Sequence, residues 1–172
     1  MRFQNLLRLP KTSEDLVRDM VFFTNGFHLP KQIVFGIPKH FAPLEGDPNQ
    51  NDTAVRVSLP EGCYRGDMGH KWLYYKRLDF GTLIASNPDG IVLQPGTFTL
   101  VSILPQINAL YRINLAEGDI LDASYTVGGG PVTMHANPNS LAWQGQINLP
   151  VSGPLPDMVP NTELNGFDAV SA

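Results

Sequence analysis

The chain has 172 residues, 42% hydrophobic and only 16% charged, with 12 Lys and Arg against 16 Asp and Glu for a formal charge of -4. That apolar fraction is enough for one core and excludes whole-chain disorder, and the acidic balance argues against a dedicated nucleic-acid binder, whose affinity comes from a basic face on phosphates. With 16 Gly and 15 Pro, many turns are expected without low-complexity sequence.

Residues 1–31 read as an N-terminal arm with one short helix. The first ten residues set Arg2 and Arg8 among apolar side chains and lack the unbroken apolar run of a signal peptide, so synthesis and residence in a cytoplasm is the expectation. No run of 18 apolar residues predicts a membrane-spanning helix. Thr12 precedes Ser13, Glu14 and Asp15, a hydroxyl and two acids suited to the free N–H groups and positive dipole end of a helix. Leu16, Met20 and Phe23, with Val17 and Val21 beside them, fall on one side at helical spacing, and Asn25 and Gly26 supply the stop.

Residues 32–149 read as a β domain. Short runs rich in Val, Ile, Thr and aromatics, cut by Gly, Pro and Asn, predict strands at 32–37, 53–59, 71–78, 82–85, 90–94, 97–104, 109–115, 120–127, 132–136 and 141–149. Alternation sets Val55, Val57 and Leu59 against Ala54, Arg56 and Ser58, and Tyr111, Ile113 and Leu115 against Leu110, Arg112 and Asn114. Residues 116–119 then read as a hairpin connection. With no helix expected between them, these strands predict an all-β fold, a single antiparallel jelly-roll β-barrel or sandwich of about eight strands. Residues 150–172 follow as an extended C-terminal arm, with four prolines in the eleven residues 150–160 that fit neither a helix nor a central strand.

The residues that could carry chemistry are sparse. Cys63 is the single cysteine, His28, His40, His70 and His135 are scattered, and Asp67 with His70 sits in a Gly-rich turn. Gly128, Gly129 and Gly130 precede Pro131 rather than a Lys, a turn and not a phosphate loop. His135 followed by Asn139 resembles the last fragment of a cupin metal site, but the His-x-His strand of that family is missing. The reading is a non-enzyme with no cofactor or metal. Trp72, Tyr74 and Tyr75 beside Lys71, Lys76 and Arg77 form the densest aromatic and basic cluster. They are the candidate ligand platform, for a sugar or a protein, and a carbohydrate-binding module is the alternative function they support.

Charge is one-sided. All 12 bases lie at or before Arg112, and the remainder carries six acids and no base. Complementary ends of this kind suit contacts between copies. The candidate interface therefore joins Arg2, Arg8 and Lys11 to the arm residues Pro154, Pro156, Asp157, Glu163, Phe167 and Asp168 of a neighbour.

In length, strand spacing over 32–149 and terminal arms, the chain resembles the single jelly-roll capsid proteins, in particular the smaller major capsid protein of icosahedral phages that enclose a membrane. The resemblance implies a virion location after synthesis in a host cytoplasm, and self-association through exchanged or overlapping termini. It also implies a second capsid or virion protein as partner, and contact with an underlying membrane without spanning it. No direct nucleic-acid binding is expected. A phage head-decoration or tail protein would share these features.

Overall fold

The computed structural model describes residues 10–43, 45–47, 49–59, 71–82 and 90–154. It is mostly β with two helices. In chain order come α1 (Ser13–Asn25), β1 (Val34–His40), β2 (Thr53–Ser58), β3 (Lys71–Tyr75), β4 (Leu78–Asp79), β5 (Ile91–Val92) and β6 (Thr97–Thr99). Then follow α2 (Leu104–Tyr111), β7 (Ser124–Thr126), β8 (Val132–His135), β9 (Trp143–Gln144), β10 (Gln146–Leu149) and β11 (Val151–Ser152). The strands form an antiparallel meander β1-β2-β3 and four two-stranded sheets, of which β8–β10 and β6–β7 are antiparallel while β4–β9 and β5–β11 are parallel. No barrel closes among the described residues.

Helix α1 forms as its sequence dictates. The Thr12 hydroxyl accepts from Asp15 N at 3.2 Å, and Gly26, at φ 74°, donates its N–H to Phe22 O at 2.8 Å, closing both ends. Leu16, Val17, Met20 and Val21 are buried, each worth about 1.5–3 kcal/mol of apolar transfer. Phe23, expected on that stripe, is 48% exposed. At 100° per residue the buried stripe centres between Leu16 and Val21, a line that Thr24 continues, and Phe23 lies at its margin.

The core is continuous from α1 through the sheets. Trp143, Tyr75, Phe80, Leu100, Ile107, Met134 and Ile147 are its largest fully buried members besides the helix, and Phe80 stacks on Trp143 at 5.2 Å between ring centroids. Gly145, at φ 77°, turns the chain from β9 into β10, and so from one sheet to another. Asp119 is buried and ties three segments: its carboxylate accepts from Ser13 Oγ and Ser140 Oγ, each at 2.6 Å, and from Ala116 N at 3.0 Å.

Several expectations change. Residues 109–115 are not a strand: α2 occupies 104–111, with Leu104, Ile107 and Tyr111 buried at helical spacing and Pro105 in its first turn. Arg112, at φ 53°, ends it, and only Ile113 and Leu115 continue the apolar alternation. The Asn108 side chain then substitutes for a neighbouring strand, donating to Leu115 O at 3.0 Å and accepting from Leu115 N at 2.8 Å. Residues 117–119 are a 3-10 turn rather than a hairpin connection. The all-antiparallel expectation fails at β4–β9 and β5–β11, two-residue pairings between segments far apart in sequence that hairpin signals do not register. The β pairing also passes residue 150: Ile91 N donates to Pro150 O at 2.7 Å and Leu93 N to Ser152 O at 2.9 Å. The described β pairing therefore runs on to Ser152, two residues into the segment expected as the C-terminal arm.

Candidate interaction surface

The meander β1-β2-β3 carries four exposed large hydrophobic side chains, Val34, Ile37, Trp72 and Tyr74. Its register sets Lys39 and Tyr74 opposite Ala54, and Trp72 opposite Arg56. Directly paired residues share a face, so Lys39, Ala54, Arg56, Trp72 and Tyr74 line one side. Phe35, Pro38, Val55, Val57, Leu73 and Tyr75 line the other. Between Phe35 and Pro38 the register shifts, and this bulge sets Gly36 and Ile37 against the single residue Arg56. A Cβ at residue 36 would lie 3.2 Å from Arg56 O, a reason for glycine there.

The inner side is covered. Helix α1 packs on it, and Arg18 fixes the approach to β1 by donating to Pro30 O at 2.6 Å, Lys31 O at 3.2 Å and Ile33 O at 3.3 Å while its guanidinium lies 5.2 Å from the Phe35 ring centroid. The outer side is open: Ile37 is 73% exposed, Tyr74 54%, Val34 52% and Trp72 42%. Lys39 Nζ sits 5.1 Å from the Trp72 ring centroid, and Phe41 meets Tyr74 edge-on at 6.2 Å. The three strands carry Lys39, Arg56 and Lys71 and no acid. An apolar, aromatic face with a positive field of this kind suits a partner that brings apolar side chains and carboxylates.

Of the proposed platform, Trp72 and Tyr74 stand together on this face. Tyr75 does not join them: it is 1% exposed and its hydroxyl donates to Leu141 O at 2.7 Å. Burial pushes its phenol well above the ordinary range. Beside it, Asp52 accepts from Thr53 Oγ1 at 2.7 Å, Arg77 N at 3.1 Å and Gln144 Nε2 at 2.9 Å, while Arg77 donates to Trp143 O at 3.0 Å. Burial lowers the Arg77 pKa, and Asp52 opposes that shift. This network joins the start of β2, the connection between β3 and β4, and β9.

Lys11, expected to meet a neighbour's acidic arm, forms an ion pair with Asp19 of α1 in its own chain. Pro154 is exposed at the last described position. Arg2, Arg8, Pro156, Asp157, Glu163, Phe167 and Asp168 lie outside the described residues, as do Cys63, Asp67 and His70. His135 is exposed at the end of β8, and Asn139 belongs to a turn in which its N–H donates to Asn137 Oδ1 at 2.9 Å. Among the described residues no three His, Cys, Asp or Glu converge to hold a metal, and no helix is long and apolar enough to cross a membrane. Val34, Ile37, Lys39 and Arg56 were not among the sequence candidates. Arg56 stood out only as a charged residue in an alternating run, and its placement beside Trp72 depends on register.

A family of unknown function, DUF7941, matches residues 7–171. No curated protein and no solved structure matches the chain.

Proposed function

We propose that this chain, which belongs to the DUF7941 family, is a structural subunit of a virion: a capsid protein that works by assembling with copies of itself and with a second virion protein, without catalysis. The observation that carries the reading is the outer face of β1-β2-β3, where Val34, Ile37, Trp72 and Tyr74 are exposed side by side on a sheet whose other face is already packed. Association removes such apolar area from water, and interface cores are depleted in charge. A chain with only 16% charged residues and its bases confined to the first 112 positions suits a molecule much of whose surface is covered by other protein. The jelly-roll arrangement belongs to the same proposal and is supported by the abundance of short strands.

Truncation after Pro154 tests the reading, because every described strand pairing lies before that point. The truncated chain is expected to keep its circular dichroism and thermal unfolding while losing most of its self-association. Particles or oligomers equal to those of the full chain would contradict a role for the C-terminal arm in assembly.

A further inference from the structure

We infer that the outer face of β1-β2-β3 is the receptor for the acidic C-terminal segment, residues 155–172, of a second copy of this chain, an inference that rests on the assembly reading above. The chemistry is complementary at both levels. The face offers Lys39 and Arg56 with no acid on its three strands, and the segment offers Asp157, Glu163 and Asp168 with no base. The face exposes Ile37, Trp72 and Tyr74, and the segment intersperses Leu155, Met158, Val159, Leu164, Phe167 and Val170 among its acids.

Reach is sufficient. At about 3.3–3.6 Å per residue, the 18 residues of the segment extend roughly 60 Å. A sheet of three strands, by contrast, is only on the order of 15 Å wide. The segment starts beyond β11, which pairs with β5 and not with the meander, so the tail root and the receptor face belong to different sheets. Two copies can then exchange tails reciprocally, each giving one segment and receiving one, which closes a two-fold pair. The ion pair of Lys11 with Asp19 removes one of the bases expected to receive the tail and leaves the meander face as the better cationic target.

Charge exchange in the full-length chain tests this. One variant carries Lys39→Glu with Arg56→Glu, and the other carries Asp157→Lys, Glu163→Lys and Asp168→Lys. Lys39 and Arg56 are exposed, and circular dichroism checks that both variants are folded. Each alone should self-associate on the order of tenfold to a hundredfold more weakly than the parent. An equimolar mixture should recover association, because each tail then meets a face of opposite charge.

Trp143 is fully buried and Trp72 is half-exposed, so acrylamide quenching reads the face directly. Quenching of Trp72 should fall as the parent associates. If the parent associates and the two variants do so equally well, the receptor assignment is overturned while the assembly reading stands. A parent that is monomeric at every concentration overturns both. Trp72 protected in a monomer, and freed by the tail substitutions, identifies the chain's own tail as occupant and overturns the exchange. Protection of Trp72 by added oligosaccharide but not by association would assign the face to a glycan instead.

Discussion

Single side chains in this fold act chiefly as ties. Asp119 joins the start of α1, the 3-10 turn and the loop before β9 through one carboxylate, and Asp47 orders the β1–β2 connection by accepting from Asn49 N and Asn51 N, each at 2.9 Å. These backbone donors hold the Asp47 carboxyl below its ordinary value of 3.8. The sign follows from linkage: a depressed folded pKa stabilises the fold above the unfolded value, and the contribution disappears as pH falls through the folded one. Asp47 should therefore titrate with a midpoint under 3.8 when its carboxyl is followed by NMR; a midpoint at or above that value would contradict the turn. At this scale the sequence groups Tyr75 with Trp72 and Tyr74 as one platform, whereas alternation along β3 turns Tyr75 to the buried side. The partners of Trp72 were not legible, because Lys39 and Arg56 come beside it only through the register of β1 and β2.

Elements show where pattern reading works and where it meets two patterns at once. Helix α1 was legible from its caps and stripe. Helix α2 was not, since Tyr111 belongs both to the helical set Leu104, Ile107, Tyr111 and to the alternating set Tyr111, Ile113, Leu115. Pro105 in the first turn was the cue that could have separated them. The parallel pairs β4–β9 and β5–β11 have no local signature, because two-residue pairings between remote segments are fixed by the packing of the whole core. Gly145 sits at the switch between β9 and β10 at φ 77°, and a Cβ there would lie 2.8 Å from Asp79 Oδ2. Gly128 has nearly the same φ, 78°, with open space around it. Gly128→Ala should cost about 1 kcal/mol for the left-handed backbone alone. Gly145→Ala should cost more, roughly 1–3 kcal/mol, because the Asp79 carboxylate must also move. Urea unfolding of the two variants compares them directly, and equal losses would show that Asp79 gives way freely.

At the scale of the whole molecule, the β-rich class and the one-sided charge were readable from composition and spacing. The meander face was not, since it is assembled from three segments and made distinctive by α1 covering its opposite side. Low charge, an open aromatic face with two bases, and an acidic apolar segment beyond β11 together support the proposal that other protein covers part of this chain's surface. Sedimentation velocity of the full chain over a wide concentration range, at low and high salt, tests that claim most directly. The account predicts association that grows with concentration and weakens as salt screens the Lys39 and Arg56 face against the tail acids. A single monomeric species at every concentration and salt would contradict it.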